Sequence, residues 1–160
     1  MKKLFLSFAF LAISHLALAQ ESAMPPRDLF GFSGYAWGTD IEYISSDMEQ
    51  EDYQLISASC TNLSYRGKLL EEGVTLIYAF ENEILVSGIW IFDDVDYDAF
   101  WRVNQFLQDT YKVKTELTLK GNDWIEAEMF PQGTNAHIVH NLDVADDRHE
   151  VHYYFRSGEE

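Results

Sequence analysis

A single cysteine in 160 residues, Cys60, has no partner for an internal disulfide, so the fold must be held by its core. Basic residues are scarce: 11 Lys and Arg stand against 27 Asp and Glu, for a formal charge of −16. A surface that negative repels a phosphate backbone, which excludes nucleic acid as a partner. No hydrophobic run reaches the roughly 20 residues that a membrane-crossing helix needs, so no transmembrane anchor is expected. Motifs that announce chemistry are missing too, with no G-x-S-x-G elbow, H-E-x-x-H, P-loop, C-x-x-C or βαβ glycine loop. No catalytic residue, metal ligand or cofactor follows from the sequence. What is present is an ordinary globular composition, 47% hydrophobic and 24% charged, which excludes a disordered tail, a collagen-like fibre and a disulfide-framed miniprotein.

The chain opens on Lys2 and Lys3, an apolar run from Leu4 to Leu18, and Ala17-Leu18-Ala19. This is the pattern of a secretory signal peptide over residues 1–19 with a small-x-small cleavage site. Gln20 stands where a lipoprotein would carry cysteine. The expectation is therefore an exported, soluble, non-lipidated protein of the periplasm or extracellular space. Residues 20–28, with Pro25-Pro26, read as a linker, 29–156 as a single domain without an internal repeat, and 157–160 as a frayed tail.

Within the domain, Thr39-Asp40-Ile41-Glu42 has the form of a capping box. Ile41, Ile44 and Met48 continue from it at helical spacing. Strand-like runs follow at 53–65, interrupted near Asn62, and at 74–80 and 84–92. Phe100, Val103, Leu107 and Tyr111 then mark a second amphipathic helix, and runs at 124–130, 136–142 and 150–155 return to strands. This order gives an α+β fold, an antiparallel sheet with two helices packed on one side. Cys60, at the end of the run from Leu55, is expected to be a buried or half-buried structural thiol.

Asp94, Asp96 and Asp98 alternate as in the first half of a calcium loop, but Ala99 and Gln105 stand where that loop needs glycine and glutamate. The acids read instead as the cap and first turn of the second helix. Among the histidines at 137, 140, 149 and 152, three-residue spacing in a strand puts His137 and His140 on opposite faces, and likewise His149 and His152. A cross-strand pair of His140 with His152 would need a favourable hairpin register. Surface or half-buried rings are expected.

The hairpin from Val74 to Phe92 is more informative, because both of its faces are apolar. A two-residue loop at Asn82-Glu83 pairs Phe80 with Leu85 and, in a regular ladder, groups Ile77, Val86, Trp90 and Phe92 on one face. With the helices covering the other, this face either stays open as a partner-binding surface or is covered by neighbouring segments.

Phe32-Ser33-Gly34-Tyr35-Ala36-Trp37-Gly38-Thr39 resembles the F-x-G-x-x-W-G-T opening of a loose group of small bacterial secreted proteins and lipoproteins. Tyr65-Arg66-Gly67-Lys68-Leu69, Tyr78-Ala79-Phe80-Glu81-Asn82 and Phe106-Leu107-Gln108-Asp109-Thr110-Tyr111 are similar to later segments of that group. More distantly, the order of elements is similar to the β-lactamase inhibitory proteins and the small lipoprotein of the outer-membrane assembly machinery. That resemblance implies a sheet face or loops that bind another protein, and no catalytic residue.

The leading reading is an exported, non-enzymatic binding module for a protein or envelope component, its candidate surface Ile77, Val86, Trp90 and Phe92. The alternatives are a small hydrolase-type enzyme assembled from distant strands and an acidic cation-binding protein. Oligomeric state is not legible at this level.

Overall fold

The computed structural model describes residues 31–50 and 53–155; the expected signal peptide, linker and tail lie outside them. A short hairpin, β1 (Gly31–Phe32) and β2 (Tyr35–Ala36), leads into helix α1 (Ile41–Gln50). Strands β3 (Gln54–Ala58), β4 (Asn62–Leu69), β5 (Glu72–Glu81) and β6 (Ile84–Phe92) follow, then helix α2 (Tyr97–Tyr111). Strands β7 (Glu116–Lys120), β8 (Trp124–Met129), β9 (Ala136–Asp143) and β10 (Arg148–Phe155) complete the described chain. Among the described residues no helix is long and apolar enough to cross a membrane.

Strands β3 to β10 form one antiparallel sheet of eight, ordered β3-β4-β5-β6-β10-β9-β8-β7. The sheet dominates and the two helices are accessory, so the fold is mostly β. One helix followed by four strands occurs twice, and the two halves join where their last strands, β6 and β10, pair antiparallel. No sequence repeat accompanies this topological one.

One face of the sheet carries the core. Alternation in β5 buries Val74, Leu76, Tyr78 and Phe80 on that face, and β9 buries Ala136, Ile138, His140 and Leu142. From α1, Met48 receives the Tyr78 hydroxyl; from α2, Phe100 stacks on His140 at 4.2 Å. Phe32 of the first hairpin packs on Tyr78 and Tyr153 with centroids 5.1 and 5.2 Å away. It lies so close over β6 that a Cβ at Gly88 would stand 2.1 Å from its ring. Glycine there makes the slot in which Phe32 sits.

Several local expectations are corrected. Helix α1 is capped by Asp40, whose Oδ1 accepts the Glu42 amide at 2.7 Å, whereas the Thr39 hydroxyl donates to the Ala36 carbonyl. The cause is the preceding segment, held to the start of β6 by Gly38 N–H to Leu85 O and Leu85 N–H to Thr39 O. The clamp runs on through Asp40, which bridges to Ile84, and Ile41 N–H reaches Glu83 O, so the chain turns into the helix directly after Asp40. Cys60 is exposed in the turn between β3 and β4, where the Ser59 hydroxyl accepts the Asn62 amide. Strand β7 was not anticipated, although Glu116-Leu117-Thr118-Leu119-Lys120 alternates and Gly121-Asn122 follows it. Lys112 ends α2 in the left-handed region at φ 52°.

Candidate functional site

Register decides which hairpin residues share a face. Phe80 stands opposite Leu85, as a two-residue turn requires, but Ala79 stands opposite Ser87, so Val86 is the extra residue of a β-bulge. Beyond the bulge the alternation of β6 is reversed. Trp90 falls opposite Leu76 and Phe92 opposite Val74, both on the helix side. The grouping of Ile77, Val86, Trp90 and Phe92 on one face is therefore corrected. Trp90 and Phe92 are each 3% exposed, in the core. The Trp90 indole N–H donates to Ser33 Oγ at 2.7 Å, and its ring packs on Tyr153 at 5.0 Å. Ile77 stays on the other face, opposite Ile89.

That other face has a definite composition. One row runs Ser64, Ile77, Ile89, His152, Val139, Glu128 and Glu116 across the strands. The next runs Arg66, Thr75, Ile91, Glu150, Asn141, Glu126 and Thr118. Ile77, Ile89, Ile91 and Val139, all half-buried, make an aliphatic centre. Beside it Phe130 stacks on His137 at 4.5 Å, and Tyr154 lies 5.9 Å from both His137 and His152. Acids flank the strip: His152 Nε2 is 2.8 Å from Glu150 Oε2, and His137 Nε2 is 3.8 Å from Glu128 Oε2. Two cations of this face are engaged, Arg66 with Asp93 and Lys120 over the Trp124 ring at 3.9 Å. The contacts of the first hairpin, α1 and α2 described above all fall on the opposite face.

The histidines divide by face as their spacing requires, but not into the pair considered from sequence. His152 stands opposite Val139, whereas His140 and His149 meet on the core side with Nε2 atoms 2.9 Å apart. Both are 0% exposed, which corrects the expectation of surface or half-buried rings at these two positions. A four-residue turn, 144–147, sets the register that brings them diagonally together. His149 Nδ1 donates to the Asp94 carbonyl at 2.7 Å, so its Nε2 accepts from His140.

In the acid run, Asp96 caps α2, its Oδ1 accepting the Ala99 amide at 2.6 Å, and Asp93 binds Arg66. Among the described residues no group of three or more His, Cys, Asp or Glu is placed to hold a metal ion. A shallow depression beside α2 is lined by Leu70, Glu71, Asp98, Trp101, Arg102 and Gln105, where Arg102 is bonded to the buried Glu72. It offers no nucleophile with a base.

Comparison with protein-family models, with curated proteins and with solved structures finds no match to this chain.

Proposed function

We propose that this protein is an exported, non-enzymatic binding module that holds a protein partner against the sheet face opposite its helices. The observation that carries the reading is the aliphatic centre of Ile77, Ile89, Ile91 and Val139, which neither helix nor the first hairpin covers and which acids flank. An apolar centre with a polar rim is the anatomy of a protein interface. Glu126, Glu128 and Glu150 on that face select a partner whose own apolar patch is rimmed by Lys and Arg. The resemblance to the β-lactamase inhibitory proteins and the small outer-membrane-assembly lipoprotein implies binding of another protein through a sheet face or loops. Export is proposed from the basic start, apolar run and Ala-x-Ala site, and intact mass from the native host should show loss of residues 1–19.

Affinity capture from the native envelope, comparing the wild-type chain with Ile89→Arg, tests the binding face. An arginine in the aliphatic centre opposes a basic rim, and retention of the partner should fall at least about tenfold, or roughly 1.4 kcal/mol. Equal retention by both proteins contradicts the reading.

A further inference from the structure

Strand β7 is the outermost strand of the second half and, among the described residues, pairs with β8 alone. Among the described residues no strand neighbours its other edge, which presents backbone donors and acceptors. All its residues are exposed, Leu117 at 48% and Leu119 at 69%. The opposite edge, β3, is interrupted by a register irregularity between Leu55 and Ser57, the kind of bulge that blunts an edge. Strand β7 keeps an unbroken register from Glu116 to Lys120 and contains no proline.

The side chains of β7 are arranged symmetrically about Thr118: a carboxylate and a leucine on one side, a leucine and an ammonium on the other. We propose that β7 pairs antiparallel with β7 of a second copy of this chain, with the two-fold axis at Thr118. In that register Glu116 faces Lys120 of the second copy at both ends of the interface. Leu117 faces Leu119 of the second copy on the helix side, the side on which Ala127 and Ile125 are buried opposite them. Thr118 meets its own copy at the centre.

Other arrangements of the same edge are worse. Parallel pairing in register sets Glu116 against Glu116 and Lys120 against Lys120, and an antiparallel slip of two residues loses both ion pairs. The dyad works whether the outward amides belong to the even or the odd residues, because an antiparallel ladder alternates bonded and non-bonded pairs. The product is a closed, isologous dimer that extends the sheet and removes its unblunted edge. The formal charge of −16 opposes approach at low salt, so the association belongs at physiological ionic strength, where the screening length is about 8 Å. This surface is distinct from the proposed partner-binding centre.

Sedimentation velocity of the purified chain at physiological salt and micromolar concentration should show a dimer. Glu116→Lys and Lys120→Glu each place like charges at both ends and should each weaken it at least about tenfold, while the double variant, with the pairs reversed, should restore it. The sites are exposed, and rescue by the double variant separates a lost interface from a lost fold. In a Cys60→Ser background, Thr118→Cys should cross-link two chains under mild oxidation, since directly opposed Cα atoms at about 4.5–5.5 Å suit a disulfide. Leu119→Cys, displaced from the axis, should not. A monomer at these concentrations overturns the proposal. So does a dimer indifferent to both charge reversals, which locates self-association on another surface.

Discussion

His140 and His149 form a buried imidazole pair whose protons are fixed by a single backbone carbonyl. Asp94 O accepts from His149 Nδ1, which leaves His149 Nε2 to accept from His140 Nε2 at 2.9 Å, and His140 Nδ1 has no partner among the described residues. Phe100 stacks on one ring at 4.2 Å and Phe92 on the other at 4.7 Å. This arrangement suits two neutral rings.

Burial holds His140 well below the usual histidine range, and a charge on His149 would push it lower still. Burial also lowers His149, against the opposing pull of its bond to the Asp94 carbonyl. The unfolded chain therefore takes up protons that the fold refuses. The stability contributed by the neutral pair is present above the unfolded value of about 6.5 and is lost as pH falls below it, by up to about 1.4 kcal/mol per pH unit for each ring until its folded value is reached. Thermal melts from neutral pH to about pH 5 should show a falling midpoint. His140→Phe should make that fall shallower, and an unchanged slope would place the acid sensitivity elsewhere.

Trp90 serves the core. Its indole lies between Phe32, Phe92 and Tyr153 with centroids 6.0, 6.4 and 5.0 Å away. Trp90→Ala should lower unfolding free energy by roughly 3–5 kcal/mol, as large-to-small core changes do. In a variant retaining Trp90 as the only tryptophan, acrylamide should quench it poorly. Strong quenching with little loss of stability would return the indole to the surface.

The cap of α1 is a finer test of the local geometry. Asp40→Ala removes the acceptor of the Glu42 amide and should cost about 1 kcal/mol in urea unfolding. Thr39→Ala loses only the hydroxyl bond to the Ala36 carbonyl and should cost less. The reverse order would put the cap at Thr39.

The parts of this architecture legible in the sequence are those set by local periodicity. The alternation of Val74, Leu76, Tyr78 and Phe80 marks β5, the spacing of Phe100, Val103 and Leu107 marks α2, and parity alone separates His137 from His140. What sequence reasoning missed depends on register. Val86 has no compositional mark of a bulge, yet that one extra residue carries Trp90 and Phe92 into the core and turns Ile89 and Ile91 outward. The meeting of His140 with His149 depends likewise on the turn at 144–147. Of the four residues grouped on one face from sequence, Ile77 lies on the face away from the helices, Val86 is the bulge residue, and Trp90 and Phe92 lie in the core.

The central claim is that the face bearing Ile77 and Ile89 holds a protein partner. A photo-crosslinking residue placed in turn at Ile89, Val139 and Gln105, in protein expressed in its native host, tests it position by position. The account predicts one common protein adduct from Ile89 and Val139, weakened by salt as a basic-rimmed partner requires, and none from Gln105 on the exposed side of α2. Adducts from Gln105 alone, or equal adducts from all three positions, would contradict it.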